Sequence, residues 1–201
     1  MTAARTRSPG EPRWFPLDAG HPPGVPERVF HWLEDRASLT RRVTAACDGP
    51  FRVRVVSQCW GRLYNSERLL LRLPPRAACL VREVVLLCRD RPQVFARTLM
   101  PARSLTGAAR RLALLRDRPL GAVLFADPGT RRERVEIARF SPRHRLYRVA
   151  TEHLVEKPEA VWGRRTVFRY AGKPILVNEL FLPDLLEQEI RPRRSRDRRR
   201  G

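Results

Sequence analysis

One stretch constrains the fold more than any other, residues 161–183, with the sequence VWGRRTVFRYAGKPILVNELFLP. Two runs rich in β-branched and aromatic residues flank Ala171-Gly172-Lys173, a turn that contains glycine and precedes Pro174. This pattern predicts a β-hairpin. Side chains alternate between the two faces of a strand, and both faces of the second run are mostly apolar. The sequence therefore predicts a central strand that is covered on both sides.

Glu179 interrupts the apolar pattern of that second run. Alternation places its side chain on one face with Ile175, Val177 and Phe181. An ionised carboxylate among apolar neighbours costs free energy unless it has a partner. Glu179 is therefore a candidate for a buried ion pair or for ligand binding.

Arg82 is a second lone charge on an apolar face. It belongs to ACLVREVVLLC, residues 78–88, which is strongly strand-like, and it shares a face with Leu80, Val84 and Leu86. Arg82 and Glu179 could pair with each other or with backbone groups, which is a purely structural role. Alternatively they line a pocket for a small anion, because a guanidinium offers a planar fork of donors that matches a carboxylate. The residues alone leave both readings open.

The rest of the chain adds helices and further strands. Residues 29–46 have helical spacing with a break near Ser38, and 108–116 also favour a helix, whereas 119–125 favour a short helix or an apolar segment over the core. Residues 51–60, 93–101 and 130–140 predict strands, and 141–160 predict a loop with some helix. The fold class that we expect is α+β, a single antiparallel β-sheet of about six strands flanked by helices.

Composition suggests three segments. Residues 1–24 are rich in proline, glycine and arginine and are predicted to be flexible, 25–190 form one domain, and the arginine-rich residues 191–201 are predicted to be a disordered tail. The net charge of +20 raises the possibility of a nucleic-acid partner. However, the arginines are scattered, and the tail has no interleaved aromatic residues, so no specific nucleic-acid partner is expected.

Several other classes are disfavoured. No run of about 18 apolar residues predicts a membrane span, and the N-terminus lacks the apolar region of a secretory signal, so we expect a cytoplasmic protein. The four cysteines are therefore expected to be reduced. They have no CxxC spacing and the four histidines do not cluster, so no metal site is predicted. The usual nucleophile and cofactor motifs are absent from the sequence.

A set of strings in a fixed order resembles the chorismate–pyruvate lyase family over about residues 28–183. The strings are VREVVLLC, ARTLMP with SLTG after it, PLGAVLF, RVEIARF and the hairpin with its WGRR, GKP and ELFLP segments. The resemblance implies an antiparallel sheet flanked by helices. It also implies a monomeric enzyme that removes pyruvate from chorismate to give 4-hydroxybenzoate, the start of ubiquinone synthesis, without a metal or an organic cofactor.

The resemblance assigns roles residue by residue. Arg82 matches the arginine that binds the ring carboxylate, and Glu179 matches the carboxylate that meets the 4-hydroxyl of the product, so these two are the expected catalytic residues. Leu120 matches a ligand-lining position, and Leu39 stands where some relatives have methionine. Arg97 matches an arginine in a flap that closes over the ligand. Ordinary core packing would equally explain the two leucines, and a surface strand position would explain Arg97.

Other readings stay open beside this one. Arg165 is a further, weaker candidate for the second carboxylate of chorismate. Residues 141–160 look like an insertion relative to the family. The alternative function is a noncatalytic domain of related fold that senses small aromatic acids and is attached to transcription regulators. Residues 1–24 are too short and too rich in proline for a helix-turn-helix, which disfavours that alternative.

Overall fold

Seven strands of the computed structural model, which describes residues 9–187, form one antiparallel sheet in the order β1-β5-β6-β7-β4-β3-β2. They are β1 (Phe15–Pro16), β2 (Phe51–Trp60), β3 (Cys79–Cys88), β4 (Arg91–Pro101), β5 (Arg131–Phe140), β6 (Val161–Tyr170) and β7 (Lys173–Phe181). The predicted α+β class with a single antiparallel sheet is confirmed. The described residues contain one strand more than the expected six.

Short helices cover both faces of this sheet. The α-helices are α1 (Glu27–Leu33), α2 (Leu39–Ala46), α3 (Asn65–Leu70), α4 (Leu120–Leu124), α5 (Arg145–Ala150) and α6 (Pro183–Glu187). Three 3₁₀ segments join them at Leu17–Ala19, Ala102–Ser104 and Gly107–Leu114. Within residues 9–187, no helix is both long and apolar enough to cross a lipid bilayer.

The predicted hairpin is present as β6 and β7. Its turn consists of Ala171 and Gly172, with φ angles of 48° and 73°. Positive φ at both central residues is the requirement of a type I′ turn, whose twist matches that of the flanking strands. The turn sets a register in which Arg164 lies opposite Glu179. β7 lies between β6 and β4, so it is the central strand that the sequence predicts.

The N-terminal segment corrects one expectation. β1 pairs with β5 through Phe15 and Ile137, the ring of Trp14 packs edge-on against Phe140, and Glu11 is buried. The prediction of a flexible segment is therefore wrong for residues 11–16. A two-residue strand is too short to show alternation, and its proline-rich composition resembles that of a linker. Residues 1–8 and the tail at 191–201 lie outside the described residues.

The cysteines correct another expectation. Cys47, directly after α2, forms a disulfide with Cys88 at the end of β3, with a Cα–Cα distance of 5.7 Å. The prediction of reduced thiols is therefore wrong for this pair, while Cys59 and Cys79 are free. The two partners are 41 residues apart, so no local spacing could reveal the bond. It ties α2 to the sheet.

The core consists of two layers, one on each face of the sheet. The pocket face, which carries the even-numbered residues of β3, packs in one cluster against α1 and α2 and in a second cluster against Gly107–Leu114 and α4. The opposite face packs in one cluster against α5 and in another against the chain from Leu70 to Leu73. The site described below lies on the pocket face, where its two clusters meet.

Candidate active site

A cavity lies between α2, α4 and the pocket face of the sheet. Small-molecule sites typically have mostly apolar walls with a few polar groups. This cavity has that character. It is lined by Leu39, Thr40, Val53, Arg82, Val84, Leu86, Val94, Ala96, Thr98, Pro119, Leu120, Gly121, Leu124, Phe125, Arg132, Phe168, Val177 and Glu179.

Arg82 lies in the middle of β3 with 1% of its surface exposed. Its Nη2 donates to the carbonyl oxygens of Arg116 and Arg118, at 2.8 and 3.2 Å, on the loop that leads into α4. Its Nε has no partner among residues 9–187. Burial lowers the pKa of Arg82, and the nearby carboxylate of Asp117 partly opposes this. Backbone carbonyls orient the guanidinium but do not neutralise it, so an anion would complete its environment.

Glu179 lies on β7, two strands away from Arg82. Its Oε2 accepts a hydrogen bond from Nε of Arg164 at 2.9 Å and lies 2.8 Å from Nη2 of the same side chain in an ion pair. The structure therefore pairs Glu179 with Arg164 and leaves a cavity between Glu179 and Arg82. Both contacts go to Oε2. Among residues 9–187 no group pairs with Oε1, so this oxygen is available to a ligand.

Arg164 was missed as a site residue by the sequence analysis. It is 1% exposed, and its Nη1 donates to the carbonyl oxygens of Leu33 and Asp35 at 3.0 and 2.5 Å. It therefore fixes the Glu179 carboxylate and also the loop between α1 and α2. The signal was present in the sequence, because a two-residue turn at 171–172 places Arg164 directly opposite Glu179.

Leu39 and Leu120 form part of the roof of the cavity. Leu39 begins α2, where Ser38 accepts a hydrogen bond from the Arg41 N–H, and Leu120 begins α4. The two helices approach closely at Gly121, where a Cβ atom would lie 2.9 Å from the Ser38 Oγ. Any larger side chain at this position would push the helices apart. The structure thus brings Arg82, Glu179 and both leucines to one cavity.

Arg97 does not join them. Its neighbours Ala96 and Thr98 line the cavity, so alternation turns Arg97 to the opposite face of β4. There it pairs with Glu67 at 3.1 Å and with Glu83 at 2.7 Å. Burial acts to lower the pKa of Arg97, but the two carboxylates outweigh it and raise the pKa. The structure therefore places the Arg97 side chain away from the cavity, and its expected role in a flap over the ligand stays a prediction.

Arg165 also lies on the opposite face, where it pairs with Glu136 at 2.6 Å. By contrast Arg132 on β5 does line the cavity, and the sequence analysis missed it. Strict alternation from Val135 and Ile137 would place Arg132 on the opposite face. A β-bulge in β5 reverses that alternation, because the pairing with β6 shifts between Arg132 and Arg134.

Metal ligands do not gather in the described residues. Across residues 9–187 no group of three or more histidine, cysteine, aspartate or glutamate side chains is placed to hold a metal ion. The polar groups that reach the cavity are mainly guanidinium groups, one carboxylate and hydroxyls. Guanidinium groups suit an anionic organic ligand, because they match carboxylates in charge and in geometry.

The family model described as chorismate lyase matches residues 17–191. The chain belongs to the chorismate lyase family. The resemblance found in the sequence is thereby confirmed, and the chain is a lyase. The match also includes residues 17–24, which the sequence analysis had assigned to the N-terminal segment.

Curated relatives agree with this family assignment. A protein of Methylococcus capsulatus named "Probable chorismate pyruvate-lyase" is 46% identical over 155 residues, which cover 77% of this chain and 94% of that protein. Proteins with the same name from Azoarcus sp. and Pseudomonas aeruginosa are 44% and 40% identical. The matches cover 82% of this chain in both cases, and 89% and 88% of those proteins.

Solved structures of low sequence identity share the fold of the chorismate lyase family. PhnF from Mycobacterium smegmatis is 16% identical with a TM-score of 0.56, and the match covers 75% of this chain and 66% of that one. A GntR-family transcriptional regulator from Bacillus cereus is 10% identical with a TM-score of 0.50, covering 69% and 96%. At such identities the likeness concerns the fold alone.

Proposed function

We propose that this lyase converts chorismate to 4-hydroxybenzoate and pyruvate in the cavity under α2 and α4. The observation that carries the proposal is the placement of Arg82 and Glu179 on one cavity without contact between them. Arg82 is an unneutralised cation, and Glu179 has a free carboxylate oxygen. A small ring with a carboxylate at one end and a hydroxyl at the other matches this pair.

Arg82 binds the ring carboxylate in this proposal. The guanidinium is already oriented by two carbonyl oxygens, so little side-chain entropy is lost when the substrate binds. The ligand carboxylate supplies the negative charge that the buried cation lacks. The apolar walls exclude water, which strengthens the interaction.

Glu179 accepts a hydrogen bond from the hydroxyl on ring carbon 4. Arg164 contacts Oε2 of the carboxylate and so fixes its position at the cavity. In the reaction the ether bond at ring carbon 3 breaks, and its electron pair leaves with the enolpyruvate oxygen. Carbon 4 loses its proton, the electron pair of that C–H bond completes the aromatic ring, and the enolpyruvate gains a proton to become pyruvate.

Aromatisation supplies much of the driving force, so the enzyme has to orient the substrate and stabilise charge as it develops. Positioned charges in a site that excludes water achieve this without reorganisation during the reaction. Arg82, Arg164 and Glu179 are held by the backbone or by one another before the substrate arrives. The chain's own residues are therefore sufficient for these two tasks.

Incubation of the purified protein with chorismate tests the proposal. Equal amounts of 4-hydroxybenzoate and pyruvate are expected, and added EDTA should not change the rate if no metal takes part. Recovery of intact chorismate would refute the activity. Binding of 4-hydroxybenzoate without any turnover would instead indicate a ligand-sensing role.

The biological setting is a further part of the proposal. We assign the reaction to the start of ubiquinone synthesis and to a monomer in the cytoplasm. The Cys47–Cys88 disulfide bears on the location, because thiols in the cytosol are mostly kept reduced. Alkylation of thiols in freshly lysed cells would show which form is present. Cells without the protein should regain ubiquinone when they are fed 4-hydroxybenzoate.

A further inference from the structure

We propose that Arg132 binds the second carboxylate of the substrate, the one on the enolpyruvyl group, and so makes the cavity select a dianion. This inference rests on the function proposed above and extends it. Chorismate carries two carboxylates, and the residues assigned so far account for one of them. The second carboxylate needs a cation of its own. That cation has to lie on the side of Glu179 that faces away from Arg82.

A β-bulge directs Arg132 to the cavity. The register of β5 with β6 pairs Arg132 with Phe168 and Arg134 with Val167, so Glu133 is the extra residue. Phe168 lines the cavity, and Val167 packs on the opposite face. Arg132 and Arg134 therefore point to different faces although they are two residues apart. Bulges often redirect side chains next to active sites.

The contacts of Arg132 orient its charge without neutralising it. Nη1 and Nη2 donate to the carbonyl oxygens of Asp35 and Ala37 at 3.3 and 3.0 Å. The guanidinium carbon lies 5.4 and 5.2 Å from the ring centroids of Phe125 and Phe168. Within residues 9–187 its buried Nε has no partner, and no carboxylate is in ion-pair contact with it.

The electrostatic surroundings favour an anion beside Arg132. Burial and the neighbouring charge of Arg164 lower its pKa to about 10. At neutral pH the side chain is still a cation, and the nearby carboxylates of Glu179 and Asp35 compensate its charge only in part. Arg82 is in the same situation on β3, and no other arginine lines the cavity in the described part of the chain. The cavity thus has two incompletely compensated cations for two carboxylates.

The spacing of the two arginines fits this assignment. β5 and β3 are four strand spacings apart in the sheet, with β7 midway between them. Their backbones are therefore separated by roughly 19 Å at the usual strand spacing. Two long side chains that reach inward from these strands shorten the gap to the length of a small dianion. Glu179 on β7 then lies between them, beside the carbons that react.

The test compares a dianionic and a monoanionic ligand in the full-length protein. For Arg132→Gln, KM for chorismate is measured by pyruvate release, and Ki for 4-hydroxybenzoate by inhibition. KM should rise about ten- to hundredfold, the range of a lost hydrogen bond between charged groups, while Ki changes by less than about threefold. Where turnover is too slow, calorimetry gives the chorismate affinity directly.

Two further variants separate binding from structural support. Arg131→Gln removes an exposed arginine next to Arg132 and should change neither constant. Arg132→Lys keeps the charge but loses the planar fork, so it should restore part of the chorismate affinity. A role limited to holding the Asp35–Ala37 loop would weaken both ligands equally and would not separate KM from Ki.

The outcomes distinguish the inference from the function on which it rests. If the wild-type protein neither binds nor converts chorismate, the proposed function fails and the inference fails with it. If the wild-type protein converts chorismate and Arg132→Gln has an unchanged KM, the function stands and the role of Arg132 is refuted. An equal loss for chorismate and 4-hydroxybenzoate also refutes it.

Discussion

The two faces of the sheet both bury charged side chains, but they satisfy them differently. On the opposite face Arg97 contacts Glu67 and Glu83, and Arg165 contacts Glu136, so each buried cation has a carboxylate. On the pocket face Arg82 and Arg132 donate only to backbone carbonyls. Buried arginines on the two faces of one sheet therefore have different electrostatic environments.

The difference separates structural charges from candidate ligand contacts. A buried pair that is complete within the chain needs no further partner, whereas a buried cation held only by carbonyls keeps a charge that a ligand can neutralise. By this criterion Arg97 has a structural role, whereas Arg82 and Arg132 are candidates for ligand binding. Arg164, which does not itself line the cavity, contacts a carboxylate on the pocket face, and that carboxylate is Glu179.

The largest expected effect concerns the paired face. Arg97→Met leaves Glu67 and Glu83 buried without their cation and should lower the free energy of unfolding by about 3–5 kcal/mol. Urea denaturation measures this loss. The protein that remains folded should keep its KM for chorismate, because Arg97 does not reach the cavity.

Arg91→Met is the matched control for Arg97. Arg91 lies on the same strand and pairs with Asp184, but its side chain is 67% exposed. Its loss should cost less than about 1 kcal/mol. A stable Arg97→Met protein with a raised KM would show that the division between the faces is wrong.

The disulfide is the next largest contribution, and it supports the pocket face by tying α2 to β3. The Cys47–Cys88 bond closes a loop of 41 residues, and its removal should lower the free energy of unfolding by about 2–4 kcal/mol. Thermal melting with and without a reductant measures this. Cys47→Ser should melt at the temperature of the reduced wild-type protein, and a melting temperature that ignores reductant would contradict the assigned bond.

Arg82→Met should have the opposite effects to Arg97→Met, with a small change in stability and a large loss of activity. It should change the free energy of unfolding by about 1 kcal/mol or less, because it removes a buried cation that has no carboxylate contact. The value of kcat/KM for chorismate should nevertheless fall by about tenfold or more. A loss of stability as large as that of Arg97→Met, with activity retained, would move Arg82 to the structural set.

The smallest effect is a pH dependence of stability from the loop between α1 and α2. Burial acts to raise the pKa of Asp35, but the hydrogen bond from the Ala37 N–H and the charge of Arg42 hold it below its usual value. The stabilisation is therefore complete above about pH 4 and is lost as the pH falls through the lowered pKa. Asp35→Asn should lower the melting temperature slightly at neutral pH, and the difference from the wild-type protein should disappear as the pH falls below about 4.

Much of the fold could be predicted because its strands are long and strongly patterned. The hairpin followed from a glycine-containing turn between two apolar runs, and the cavity positions of Arg82 and Glu179 agree with simple alternation. β1 could not be predicted, since two residues show no periodicity. The disulfide could not be predicted either, because its partners meet only after α2 packs against the sheet.

The candidate site was only partly predictable for the same kind of reason. The family resemblance placed Arg97 over the ligand, although alternation along β4 from Ala96 and Thr98 sends it to the other face. Arg132 was not identified from the sequence, because a bulge reverses the face on which every preceding residue of the strand lies. The sequence carries no clear signal for a bulge at Glu133.

The sequence by itself determined the hairpin at residues 161–183 and the presence of isolated charges on apolar strands. Local patterns suffice there, because turn geometry and side-chain alternation depend on neighbouring residues alone. Only the tertiary structure decided how those charges are compensated. Glu179 pairs with Arg164, and Arg97 pairs with two carboxylates. Arg82 and Arg132 donate hydrogen bonds to backbone carbonyl oxygens. These partners come from distant segments, and their distances are set by packing.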